Sequence, residues 1–207
     1  VTADTPEVRR QIALARAVFD SGVPSFGSCW GLQVMVAALG GAVERNPAGP
    51  QRGVARAIRL TEAGRGHAMY AGKSDVFDAL CIHRDIVTCI PDGADILAAN
   101  RACAVQGLSV RRGAHSFWGV QYHPEFDLHQ VSAMYKRSAR RLIETGLARS
   151  EAEVLVIADD LKALHEDPTR RDIAWRYGIA DDILDANQHR REFANWLGAE
   201  VLARVEG

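Results

Sequence analysis

At 207 residues the chain is long enough to bury a substantial core, and it has the size of one large domain or of a domain with an appendage. Charged residues make up 25% of it and the formal net charge is −1, so no basic field exists to gather nucleic acid or an anionic membrane, and neither is expected as a partner. No leading apolar segment and no run of about eighteen apolar residues occurs, which gives no signal for secretion or membrane insertion and fits a cytoplasmic location.

The first predicted element is a helix. Thr5 can cap it, Pro6 suits its first turn and Glu7 complements its dipole, while Val8, Ile12, Ala15 and Phe19 recur at helical spacing until Gly22 stops the run. A short apolar strand, Val23 to Phe26, then leads into Gly27-Ser-Cys-Trp-Gly31 and a second helix from Leu32 to Leu39. Strand, sharp glycine-flanked turn and helix make the same pattern as the Gly-x-Ser-x-Gly elbow of serine hydrolases. In such a turn, backbones approach too closely for a Cβ and the central residue is strained, so Cys29 reads as a nucleophile exposed at a helix N-terminus.

After turns at Gly40-Gly41 and Asn46 to Pro50 the pattern becomes one of short strands: 54–60, 77–82, 86–90, 96–99, 104–110 and 116–122. They read as antiparallel additions to a parallel core. The last strand ends in Gly119-Val-Gln-Tyr-His-Pro-Glu125, where His123 and Glu125, two residues apart, supply the base and orienting carboxylate that a thiol nucleophile needs. Of the four cysteines only Cys29 lies in an elbow; Cys81, Cys89 and Cys103 read as small buried hydrophobes in strands. No zinc-ligand spacing and no phosphate-binding glycine loop is present, so neither a metal nor a cofactor is expected.

The remaining sequence reads as helices. One carries Leu128, Val131, Tyr135, Leu142 and Ile143 and ends at Gly146; another opens on a capping box at Ser150-Glu-Ala-Glu153 and stops at Pro168. Ile173 to Ile179 and Ile183 to Val205 continue an amphipathic helical tail.

Gly27-Ser-Cys-Trp-Gly-Leu-Gln33 taken with His123-Pro-Glu125 resembles the class I glutamine amidotransferase family, most of all the amidotransferase domain of GMP synthases and stand-alone proteins similar to it. Leu60 to Gly64, His83-Arg-Asp-Ile-Val87, Pro91 to Ala98 and Phe117 to Glu125 extend the likeness over about residues 5 to 147. The resemblance implies an α/β fold, a flavodoxin-like sheet with flanking helices, in residues 1–148; residues 149–207 lie outside it and read, from their capping box and helical spacing, as a C-terminal helical extension. It also implies additional strands before the first helix, with a glycine loop that donates to the oxyanion, so the sequence reads as the retained part of a longer protein.

The implied reaction is hydrolysis of the glutamine side-chain amide by Cys29, His123 and Glu125 through a γ-glutamyl thioester. Trp30 N–H and Gly27 are placed at the oxyanion and substrate, and Gln33 and Arg84, the latter in the His83-Arg-Asp85 segment, at the glutamine. Ammonia would pass to a synthetase on a separate chain; the sequence leaves a homo-oligomer open. Two other readings stay open: a γ-glutamyl hydrolase or peptidase of the same fold, and a non-enzymatic regulatory module with a relic triad.

Overall fold

The computed structural model describes residues 1–205. They form two compact units, Val1–Pro124 together with the described residues from Asn187 onward, and Glu125–Ala186.

The first unit begins with helix α1 (Pro6–Asp20), whose N-terminus is held by the Val8 N–H donating to Thr5 Oγ1 at 3.3 Å. Strand β1 (Ser25–Ser28) leads directly into helix α2 (Trp30–Ala38). Then follow β2 (Ala42–Arg45), β3 (Gln51–Leu60), the short helix α3 (Glu62–Gly66), β4 (Val76–His83), β5 (Asp85–Cys89), β6 (Ala94–Asn100), β7 (Cys103–Arg112) and β8 (His115–Val120). Six strands make one sheet in the order β1-β8-β7-β6-β3-β4, and β2 pairs with β5 separately. Among the described residues β1 and β8 are the parallel pair, in register from Ser25 opposite Phe117 to Ser28 opposite Val120. The other pairs are antiparallel. Where strands follow one another through short turns, as β7 and β8 do, only that arrangement is open to the chain. Beyond β8 the chain swings across, and the His123 N–H donates to Leu80 O at 2.8 Å on β4, the opposite edge of the sheet. The sheet is therefore curled.

Alternation along the strands divides the core in two. Phe117, Leu108, Val110 and Val105 pack with Phe19 of α1 and Leu32, Met35 and Val36 of α2. Trp118, Val120, Tyr122, Leu97, Ile58, Phe77 and Tyr70 fill the inside of the curl. Gly107 makes room there: a Cβ on it would lie 2.1 Å from the Tyr70 hydroxyl. Cys81 and Cys103 are buried as expected, but Cys89, the last residue of β5, is exposed.

The second unit is helical: α4 (Leu128–Arg137), α5 (Ala139–Glu144), α6 (Glu151–Glu166), α7 (Arg171–Tyr177) and α8 (Asp181–Leu184). The single helix expected over 128–143 is broken at Ser138, which leaves helical geometry at φ −117°, ψ 22°. Asp127 and Gln130 form a reciprocal capping box at the start of α4. At Ser150 only half of the expected box forms. Glu153 N–H donates to Ser150 Oγ at 3.2 Å, while the Glu153 carboxylate turns to the Arg149 backbone at 2.7 Å and its guanidinium at 3.1 Å, a charged donor outcompeting a neutral one.

The chain then returns to the first unit through α9 (Ala186–His189), α10 (Arg191–Trp196), a π-helical stretch (Leu197–Leu202) and α11 (Ala203–Val205). No helix among the described residues is long and apolar enough to cross a membrane.

Candidate functional site

Cys29 is the residue between β1 and α2, and its backbone sits at φ 44°, ψ −96°, a conformation L-residues avoid and that persists only where the surroundings enforce it. The enforcement is visible. Its N–H donates to Val120 O at 2.7 Å, at the end of the neighbouring parallel strand, and its C=O accepts the Gln33 N–H at 3.1 Å, the first bond of α2. The thiol donates to Ile82 O at 3.5 Å.

Gly27 is required by space. A Cβ there would meet backbone atoms, Gly31 C at 2.7 Å and Leu32 N at 2.9 Å, which cannot swing aside. We expect Gly27→Ala to lower stability by about 1–3 kcal/mol in urea titrations, the usual range for overpacking. The sequence argument that both glycines avoid a backbone clash does not hold for Gly31, whose missing Cβ faces open space.

Two parallel strands have their C-terminal ends on the same side of a sheet, so β1 and β8 deliver Cys29 and the segment to His123 to one rim. The far wall of that rim is β4. Leu80 O holds the His123 N–H and Ile82 O holds the Cys29 thiol, acceptors two residues apart on one strand, about 7 Å along it. His123 is buried. Glu125, two residues on in sequence, is exposed and is the first residue of the second unit.

Trp30 is the first residue of α2, so its N–H is among those with no acceptor inside the helix. Its ring is half-exposed and leans on α1, the indole N–H donating to Gln11 Oε1 at 2.6 Å. Gln33 is buried, and its amide N–H groups donate to Asp85 O at 2.8 Å and Gln121 Oε1 at 3.1 Å, tying α2 to the start of β5 and to the segment after β8. Arg84 is exposed, and its carbonyl accepts the Asn46 N–H at 2.9 Å. Sequence reasoning did not find Gln121. A glutamine just beyond a strand carries no local signal, and its partner lies 88 positions away.

His83 is buried at the end of β4, with Nδ1 3.2 Å from Asp85 O. A carbonyl can only accept, so Nδ1 carries the proton of the neutral ring, and Nε2, a lone pair, is buried without a hydrogen-bond partner. Burial lowers its pKa to about 4 against the partial opposition of the Asp85 carbonyl, and the charge His123 can carry lowers it further. An unfolded His83 binds its proton near pH 6.5 and the folded one does not, so stability is lost as pH falls from about 6.5 towards 4. By pH 4.5 the expected loss from this residue is about 2 kcal/mol. Comparing urea midpoints at pH 7 and 4.5 in the parent and in His83→Gln checks it: the variant should lose less.

The family model of glutamine amidotransferase class-I matches residues 3–141. The chain belongs to the class-I glutamine amidotransferase family. Among its relatives, a γ-glutamyl-L-1-hydroxyisopropylamide hydrolase from Pseudomonas sp is 39% identical over 140 residues, covering 66% of this chain and 47% of that one. A glutamine-hydrolysing GMP synthase from Thiobacillus denitrificans is 38% identical over 119 residues, covering 52% of this chain and 21% of that one. The chain thus spans about half the length of the first relative and about a fifth of the second. A glutamine amidotransferase structure from Methylobacillus flagellatus superimposes with a TM-score of 0.65 at 20% identity, covering 95% of this chain and 71% of that one. The mixed α/β architecture, a curled sheet with flanking helices, is that of the class-I amidotransferases. Among the described residues no group of His, Cys, Asp and Glu side chains could hold a metal ion.

Proposed function

We propose that the chain hydrolyses the side-chain amide of glutamine and that the ammonia serves a synthetase on a separate chain. Cys29 is the nucleophile. His123 takes the thiol proton, and the sulfur adds to the carboxamide carbon. The Trp30 N–H stabilises the resulting oxyanion, and His123 returns the proton to the departing ammonia. Water, activated by His123, then cleaves the γ-glutamyl thioester to release glutamate. Glu125 orients the imidazole, and Gly27, Gln33 and Arg84 shape the glutamine site. The observation that carries this reading is the Cys29 backbone at φ 44°, held between β1 and α2 at the rim that also receives His123.

A second reading keeps this machinery and changes the leaving group to a larger amine; the 39% identity to a hydrolase of a γ-glutamyl hydroxyisopropylamide favours it. Glutamate release from glutamine and from γ-glutamyl isopropylamide, compared as kcat/KM with and without candidate synthetases, separates the two. A preference of tenfold or more for the alkylamide replaces the first reading with the second. No turnover of either, with no selective labelling of Cys29, leaves a binding module with a relic site.

A further inference from the structure

The terminal segment from Asn187 to Val205 touches both strands that lead to the site. On β1, Phe26 packs edge-on against Phe193 with ring centroids 5.7 Å apart and against Trp196 at 6.0 Å. On β8, Ser116 Oγ donates to Glu200 Oε2 at 2.6 Å, and Arg111 of β7 pairs with the other oxygen of that carboxylate. Just beyond β8, the Tyr122 hydroxyl donates to Glu192 Oε1 at 2.6 Å. Glu192 is fully buried, and the same oxygen meets Lys73 Nζ at 2.7 Å, an ammonium itself only 2% exposed. Lys73 also donates to Gln188 O at 2.8 Å and lies over the Phe77 ring, and Tyr122 is in turn bonded to the Tyr70 hydroxyl at 3.1 Å and edge-on to Phe77.

A charged pair and two phenols sunk in an aromatic core cost desolvation that an apolar cluster of the same volume would avoid. Their placement gives the cluster a use. Tyr122 immediately precedes His123, whose N–H is pinned to Leu80 O at 2.8 Å. A side-chain anchor on one residue and a backbone anchor on the next together restrain the backbone from which the imidazole projects.

From this juxtaposition we propose that Glu192 is a positioning residue for His123, acting through Tyr122, and that the terminal segment is part of the machinery that sets the site. The inference rests on the reading of Cys29 and His123 given above. It predicts that loss of the Tyr122–Glu192 bond weakens the chemical step without weakening substrate binding. Loss of the Ser116–Glu200 bond, made by the same segment but seven positions earlier than His123, should cost stability alone.

The experiment compares Tyr122→Phe, Glu192→Gln and Ser116→Ala with the parent chain in four measurements: kcat and KM for glutamate release, the rate of Cys29 alkylation at pH 7, and the thermal midpoint. Expected for Tyr122→Phe are losses of about tenfold in both kcat and alkylation rate with KM within about twofold, the pattern of an interaction that matters for the transition state. Glu192→Gln, which keeps an oxygen for the Tyr122 hydroxyl, should retain more activity than Tyr122→Phe despite losing its ion pair with Lys73. Ser116→Ala should lower the midpoint and leave both rates within about twofold. If Tyr122→Phe lowers the midpoint but leaves both rates within twofold, Glu192 only fastens the segment and the inference is overturned. A parent chain with neither hydrolysis nor selective Cys29 alkylation overturns the reading of the site and the inference with it. Selective alkylation that is insensitive to Tyr122→Phe overturns the inference alone.

Discussion

Glutamate release by Cys29→Ser is expected to fall at least about a thousandfold below the parent, because a hydroxyl at neutral pH is a far poorer nucleophile than a thiol whose proton a neighbouring base removes. The fold should tolerate the change. The serine hydroxyl can still donate to Ile82 O, as the thiol does at 3.5 Å, and the bonds that hold the strained backbone, from Cys29 N–H to Val120 O and from Gln33 N–H to Cys29 O, are main-chain. The same residue should be the target of a glutamine-shaped electrophile, with the adduct located by mass after digestion. Burial raises the Cys81 thiol to about 12 and the Cys103 thiol to about 11, which keeps both inert. Cys89 is exposed and provides the internal control: a plain alkylating agent reaches it, whereas a reagent that must first occupy the glutamine site does not. Equal labelling of Cys29 and Cys89 by the glutamine mimic, or full hydrolysis by Cys29→Ser, would sink the proposed role.

The elbow was legible in the sequence because its close backbone approach is local, although the bond from Cys29 N–H to Val120 O that helps hold it is not. Gly27, Cys29 and the apolar start of α2 lie within a few residues of one another, and a close backbone approach leaves a glycine as its mark. Strand alternation likewise accounts for Phe117 and Trp118 packing on opposite faces of β8. Long-range pairing left no such mark. Nothing near Ser25 announces that it lies opposite Phe117, and nothing near Gln33 announces Asp85 or Gln121. The tail shows the failure most clearly. Periodicity calls for an amphipathic helix with Phe193 and Leu197 inward and acids outward, yet Glu192 and Glu200 are buried while Phe193 is 43% and Leu197 36% exposed. Partners distant in sequence override the local pattern: Lys73 and Tyr122 for the first acid, Arg111 and Ser116 for the second. A rule that places charges at the surface has no access to them.

Glu192→Ala is expected to cost about 3–5 kcal/mol of folding stability, since it leaves the Lys73 ammonium, 2% exposed, without its carboxylate. The Gln188 carbonyl at 2.8 Å and the Phe77 ring remain as partners, but neither carries a charge to balance the ammonium. The paired replacement Lys73→Met with Glu192→Leu should recover most of that loss, because it removes both charges and fills their volume with apolar atoms. The Tyr122 hydroxyl then keeps only Tyr70 as a partner, for a residual cost of about 1 kcal/mol. Urea midpoints and slopes for the parent, Lys73→Met, Glu192→Leu and the double variant form a cycle whose coupling term isolates the pair. A coupling below about 1 kcal/mol would mean that water reaches the pair and that it behaves as a surface ion pair does. If the double variant regains stability while its kcat stays low, the acceptor that Glu192 offers the Tyr122 hydroxyl serves His123 rather than the fold, and the two roles of Glu192 separate.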